Sequence, residues 1–411
     1  MNQRKIFNTV LLVAIFLVTI LVYRCKNPTI ESDYYNPEAL ATHFNNEHYV
    51  GSKTCMECHE NIYNTHLLTA HYNTSAPANA ENILGSFNRG SNILDLEDVR
   101  FTMQKKADSF YQYTEFKNRT ANIPASTFNI VIGSGIRGQS YANWENDELF
   151  QLQTSYHTST DSWVNSPGFP SFAGRNRPIR DACLKCHVTF ATNLDFSGQG
   201  NRYNKERLIY GVDCEKCHRP SKKHVVYHRK NPEIEIANFM LPLDSLSRQQ
   251  RLDVCAQCHS GSRNRLIQGN SFSFLPGENL DAYARNSHES NPNEKLDVHG
   301  NQYGLLIQSE CFKQSEQMDC ITCHDPHKNQ RGNTSYFNQK CVGCHTTNNV
   351  VCAAEPSETK AMSNNCIACH MPVTPSESMT VQLKEYDSLE TSFYIRTHLI
   401  KVYPEEDSNY P

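Results

Sequence analysis

Apolar residues are scarce in this sequence. They make up 38% of it, below the usual share for globular chains, so side chains alone are not expected to build a conventional core. An excess of basic charge is also missing. The formal net charge is −4, which argues against nucleic acid as a partner. Methionine numbers only eight, too few to supply sulfur to many metal centres. One long uncharged run occurs, the 18 residues from Ile6 to Tyr23, after the basic segment 1–5. That length is near the lower limit for spanning a bilayer and slightly long for a signal peptide. No A-x-A cleavage site follows it, and Tyr23-Arg24 precede Cys25 where a lipoprotein has small residues. An uncleaved anchor, a cleaved signal and a lipoprotein signal are the three readings. All three export the chain, with Arg4 and Lys5 left inside. The expected location is the periplasm, at the outer face of the cytoplasmic membrane, held by residues 6–23.

Against this background, cysteine and histidine are abundant, at 17 and 18. Fourteen of the cysteines fall in seven Cys-x-x-Cys-His motifs. These are Cys55–Cys58–His59, Cys183–Cys186–His187, Cys214–Cys217–His218, Cys255–Cys258–His259, Cys320–Cys323–His324, Cys341–Cys344–His345 and Cys366–Cys369–His370. Random placement of the same residues would give about 0.03 such motifs. Two thiols three positions apart sit on one helical turn and reach the two vinyl groups of one haem. The next residue, histidine, then lies under the iron as proximal ligand. Zinc does not require a histidine after every second cysteine, and cysteines this close seldom bridge outside redox motifs. Seven covalently attached haem c groups are therefore expected. Cys25, Cys311 and Cys352 remain, and Cys311 and Cys352 are either a disulfide or two free thiols.

A haem that only carries electrons commonly has histidine on both axial positions in multihaem proteins. Eleven histidines lie outside the motifs. His71, His224, His299, His327 and His398 are the expected distal ligands, and His66 is a further candidate on the helix after the first motif. His43, His48, His157, His228 and His288 are open between ligand and ordinary histidine.

Six motifs crowd into residues 180–370, so porphyrins rather than side chains should form the core there. Short helices are expected to end in motifs, and Ser247-Arg-Gln-Gln250 reads as a capping box leading into the fourth. The 123 residues between the first two motifs instead carry alternating β patterns, with turns at Lys105–Asp108 and Glu145–Asp147. Gly133-Ser-Gly135-Ile-Arg-Gly138 matches a dinucleotide fingerprint, but a strand pattern follows it where a helix is needed. Its glycines are expected to serve a turn or a close approach to haem. Arg175, Arg177 and Arg180, and the cluster Lys216, Arg219, Lys222, Lys223, Arg229 and Lys230, are either solvated faces or partners of haem propionates. The expected fold is mainly α with much irregular structure, haem-packed, with a small antiparallel β insertion between the first and second haems. Its segments are 1–24 anchor or signal, 25–48 linker, 49–80 first haem, 81–175 β-rich insertion, 176–400 hexahaem domain and 401–411 acidic tail.

YVGSKTCMECH with the downstream TAH resembles the first haem segment of the multihaem cytochromes c related to the tetrahaem acceptor of hydroxylamine oxidoreductase. IGSGIRGQSY, LFQLQTSYH, WVNSPGF, DACLKCH, GVDCEKCHRPSKKHV, MDCITCHDPH and CIACHMP resemble a wider group of exported bacterial multihaem cytochromes. The resemblance implies periplasmic electron transfer, with His71, His224, His299, His327 and His398 at distal-ligand positions. Some members of the group are reductases or oxidases of small nitrogen or sulfur compounds. This sequence lacks the CxxCK motif of pentahaem nitrite reductases and has seven motifs where the octahaem enzymes have eight. It shows no counterpart of the oxidase's cross-linking tyrosine.

The leading expectation is an electron carrier between a membrane quinol oxidoreductase, or a soluble cytochrome, and a periplasmic acceptor. The alternative is an enzyme with one open iron at the first haem, with His157 or a nearby arginine as proton donor or anion clamp. A third reading is a docking subunit whose β insertion binds another protein.

Overall fold

The computed structural model describes residues 34–121, 123–195, 198–263, 265–286, 295–347, 365–382 and 391–403, together with 13, 14, 16, 18 and 19. Among the described residues helix accounts for 29% and strand for 25%, so the fold is mixed and not mainly α. The physical reason lies in the motifs. Four motifs lie at short helices: Asp181–Leu184, Cys214–His218 and Cys366–His370 hold four or five residues each and Cys320–Thr322 three. Among the described residues only Ser52–His66, Arg248–His259 and Thr334–Thr347 exceed ten.

Two antiparallel sheets occupy the region after the first motif. The larger orders its strands Ser162–Asn165, Glu148–His157, Gly138–Glu145, Ile130–Ile132 and Ser75–Pro77, with Arg177–Pro178 pairing beside Glu148–His157. The smaller runs Ile93–Asp95, Val99–Lys106, Ser109–Phe116 and Ser126–Thr127. Lys106 pairs with Ser109 across a two-residue turn, and Glu145 pairs with Glu148 in the same way. Ala107 and Asn146 take the positive φ that such turns demand, at 51° and 55°.

Strand alternation decides what each face of the larger sheet touches. Val131, Tyr141, Leu152 and Tyr156 face the smaller sheet and pack with Phe101, Met103, Phe110 and Trp163. Phe128 stacks on Tyr141 at 4.7 Å. Their neighbours Ile130, Ala142 and Leu149 face the other way, onto Leu184, Val188, Phe190 and Tyr203 around the second motif. The larger sheet is thus the wall against which the second motif folds. Its Gly133–Gly138 loop approaches protein backbone: a side chain at Gly138 would meet the carbonyl oxygen of Tyr156 at 2.3 Å. Strand, not helix, follows that glycine.

Among the described residues no helix is long and apolar enough to cross a membrane, and most of residues 6–23 lie outside them. Cys25 and Cys352 also lie outside them, so the Cys311–Cys352 pairing has no structural counterpart here.

Candidate functional site

Several motifs begin at a fixed turn. Asp213 accepts the N–H of Cys214 at 2.8 Å, opening the helix Cys214–His218. Asp319 accepts the N–H of Thr322 at 3.1 Å, and the Thr322 hydroxyl returns to the Asp319 backbone. Ser247 and Gln250 form a reciprocal box at the head of Arg248–His259. Asp181 sits in the first turn before the second motif. Such capping fixes the turn that aligns the two thiols and the histidine. At the first motif the backbone of His59 leaves helical geometry (φ −119°, ψ 39°) within Ser52–His66.

An imidazole nitrogen binds a transition metal at about 2 Å, so two imidazoles on opposite faces of one haem iron hold ring centroids about 6 Å apart. Three histidine pairs have this separation. His218 and His327 are 6.0 Å apart with planes 12° from parallel. His324 and His398 are 6.0 Å apart at 25°. His259 and His71 are 6.1 Å apart at 64°. In each pair one ring belongs to a motif and the other comes from a distant segment.

Two more associations follow from electrostatics. Burial lowers the pKa of His187, and the neighbouring His299 lowers it further. Burial also lowers that of His224, with His228 and His59 adding to the effect. His299 therefore lies near the second motif and also near the fourth, and His224 lies near the first and also near the third. Burial, reinforced by neighbouring histidines, brings His218, His259 and His398 down to about 4, which keeps them neutral and able to ligate.

The ring orientations are supported from behind. Nδ1 of His187 meets the Thr74 hydroxyl at 3.0 Å. Nδ1 of His224 meets the Asn238 carbonyl at 2.8 Å, and Nδ1 of His370 the Lys401 carbonyl at 2.9 Å. His327 Nδ1 lies 3.4 Å from Asp325 Oδ1. Such contacts set the tautomer and free the opposite nitrogen for a metal. Two imidazole nitrogens are buried without a hydrogen-bond partner among the described residues, Nδ1 of His398 and Nε2 of His66.

The remaining histidines divide differently. His66 lies near His218 but makes no ring contact with a motif histidine among the described residues. Its Nε2 is 3.6 Å from Asp213, and its ring stands 6.5 Å from His327 at 68°. His228 accepts the N–H of Asn238 on Nε2. His43 is buried against the Phe272 carbonyl, and His48 meets the Thr42 hydroxyl. His157 is buried, bound to Thr160 on Nδ1. Among the described residues no histidine ring faces His345 or His370, and His288 lies outside them. Of the basic residues, Arg177 binds Gln151 and the Pro167 carbonyl, and Arg229 holds Glu57 at 2.7 Å.

Cysteines of different motifs also meet. Cys55 contacts Cys214, Cys186 contacts Cys258 and Cys255 contacts Cys320. The first motif therefore neighbours the third, the second neighbours the fourth, and the fourth neighbours the fifth. Cys341 lies near Cys323 and Cys366, joining the sixth motif to the fifth and seventh.

Sequence reasoning missed the supports. The Glu215 carboxylate, inside the third motif, accepts N–H groups of Val50, Gly51 and Ser221. The aspartates Asp181, Asp213, Asp253 and Asp319, one or two positions ahead of four motifs, were the visible signal.

Motif cysteines on helical turns, proximal histidines beneath them and second histidines about 6 Å away fit haem c. The class they fit is the multihaem c-type cytochromes. Comparisons with known proteins agree. The model of the family cytochrome c554 and c-prime matches residues 138–219. The multihaem cytochrome MtrA of Shewanella baltica (strain OS185) is 24% identical over 184 residues, covering 40% of this chain and 52% of that protein. The chain thus matches about half the length of that relative. The crystal structure of the outer cell wall cytochrome OcwA shares the fold with a TM-score of 0.56 at 16% identity, covering 87% of this chain and 80% of that one.

Proposed function

We propose that this chain is an exported electron-transfer cytochrome carrying seven haem c groups, at least five of them with histidine on both faces. The observation that carries the reading is the set of three histidine pairs at 6.0–6.1 Å, each joining a motif histidine to a distant segment. When bound, the haem iron supplies a ferric–ferrous couple. The chain's own part is to hold each group and cap its iron. The motif cysteines would attach each haem, His59, His187, His218, His259, His324, His345 and His370 would be the motif ligands, and His224, His299, His327, His71 and His398 would be the second ligands of the first five in motif order. Capping on both faces excludes small molecules and keeps ligand change small when the charge changes. The cysteine contacts, together with Cys217 lying near Cys255 and Cys258, support a route from the first motif through the third, fourth and fifth to the sixth and seventh, with the second beside the fourth.

The proposed location is the periplasm, with residues 6–23 holding the chain at the membrane. The partners are a quinol oxidoreductase or a soluble cytochrome.

A second reading is favoured by His345 and His370, which face no histidine among the described residues. An open iron at one of these two, rather than at the first motif, would suit a reductase or oxidase of a small nitrogen or sulfur compound. Spin-quantified EPR of the ferric protein decides between them. Five or more low-spin haems and no high-spin one support a carrier alone. One high-spin haem per chain supports the second reading. A mostly high-spin protein overturns the paired-histidine assignment.

A further inference from the structure

The helix Lys222–Lys230 presents two chemistries on opposite sides. His224 turns inward, its Nδ1 held by Asn238 and its ring beside His59. Lys222, Lys223, Tyr227 and Lys230 turn outward and, with Phe239 and Glu47, line a cleft of about 520 Å³. Among the described residues the three lysines meet no carboxylate, and Glu47 is already held by Asn45 at 3.0 Å. From residue 216 to 230 there are six basic residues and no acid, in a chain whose net charge is −4. Glu233 and Glu235 follow, but neither lines the cleft. Beside the lysines Phe239 stands 63% exposed against Tyr227, ring centroids 5.4 Å apart, with Val226 also lining the cleft. An apolar centre with a cationic rim is the complement of an acidic protein surface.

We propose that this cleft is the docking surface for an acidic redox protein that exchanges electrons with the haem of the first motif. The proposal rests on the electron-transfer reading. The motif contacts put the first motif at one end of the series, touching the third alone among those the cysteines connect. A partner seated on the lysines is separated from the His59–His224 centre by one helix. In the exchange the partner loses one electron and one ferric haem becomes ferrous, with no proton or bond transferred.

The test uses the full-length, haem-loaded protein and reduced plant-type ferredoxin, an acidic one-electron donor, in stopped flow. The comparison is the triple variant K222E/K223E/K230E, with a neutral viologen radical as control donor. The expected result is a rate with ferredoxin that falls with salt in the parent. The variant should lose about tenfold at low salt and lose that salt slope, while its rate with the viologen and its spectrum stay as in the parent. Equal ferredoxin rates and slopes in both proteins would overturn the proposal. So would unchanged ferredoxin kinetics with lost binding to phosphatidylglycerol vesicles, which would make the face a membrane contact. If neither protein is reduced by the viologen, the electron-transfer reading itself fails.

Discussion

The carboxylate of Glu215 receives the backbone N–H of Gly51 at 2.7 Å. One buried side chain in the third motif thereby anchors the start of the helix that carries the first. This contact joins residues 164 positions apart, and its energetics depend on proton count.

Burial raises the Glu215 pKa from 4.5 to about 7, against three N–H donors that pull it down. The folded pKa lies above the unfolded one, so folding favours the protonated acid. The resulting stability is full below pH 4.5 and is lost as pH rises to about 7. Denaturant unfolding of the parent should show a decline of roughly 3 kcal/mol over that window. Glu215→Gln should flatten it. An unchanged slope in the variant would assign the decline to another group.

His327, not His66, is expected to cap the iron above His218. His327→Ala should convert one low-spin haem per chain to high spin in the EPR spectrum. His66→Ala should leave the low-spin count intact. The reverse pattern would exchange their roles.

His71 follows the first motif in sequence, yet faces His259 of the fourth. His71→Met should raise the potential of one haem by on the order of 100 mV, because thioether sulfur favours the ferrous state. Resonance Raman or EPR of a protein also carrying His259→Ala should show that the same haem is affected. Two separately altered haems would break the pairing.

The capping box at Ser247 fixes the helix leading into the fourth motif. Ser247→Ala should cost about 1 kcal/mol of stability with haem content unchanged. Haem loss by mass spectrometry would show that the box is needed for attachment as well.

Gly138→Ala would place a methyl group 2.3 Å from the Tyr156 carbonyl, between two central strands. Destabilisation of about 1–3 kcal/mol is expected from the forced backbone shift. Thermal melting of the far-ultraviolet signal measures it.

The sequence by itself determined the chemistry. The Cys-x-x-Cys-His spacing is a local geometry, complete within one helical turn, so attachment cysteines and proximal histidines can be read without a fold. The capping box and the two hairpin turns were legible for the same reason. Tertiary structure alone decided which histidine faces which motif, because that pairing joins segments up to 188 positions apart, as between His71 and His259. It also decided the share of strand. Alternation marked the strands between the first two motifs, but the small pairs elsewhere, such as Val188–Phe190 with Ile209–Tyr210, join separate segments through hydrogen bonds that no local pattern announces. The Glu215 anchor belongs to the same class. Its sequence neighbours mark it as a surface residue, and only the arrival of Gly51 buries it.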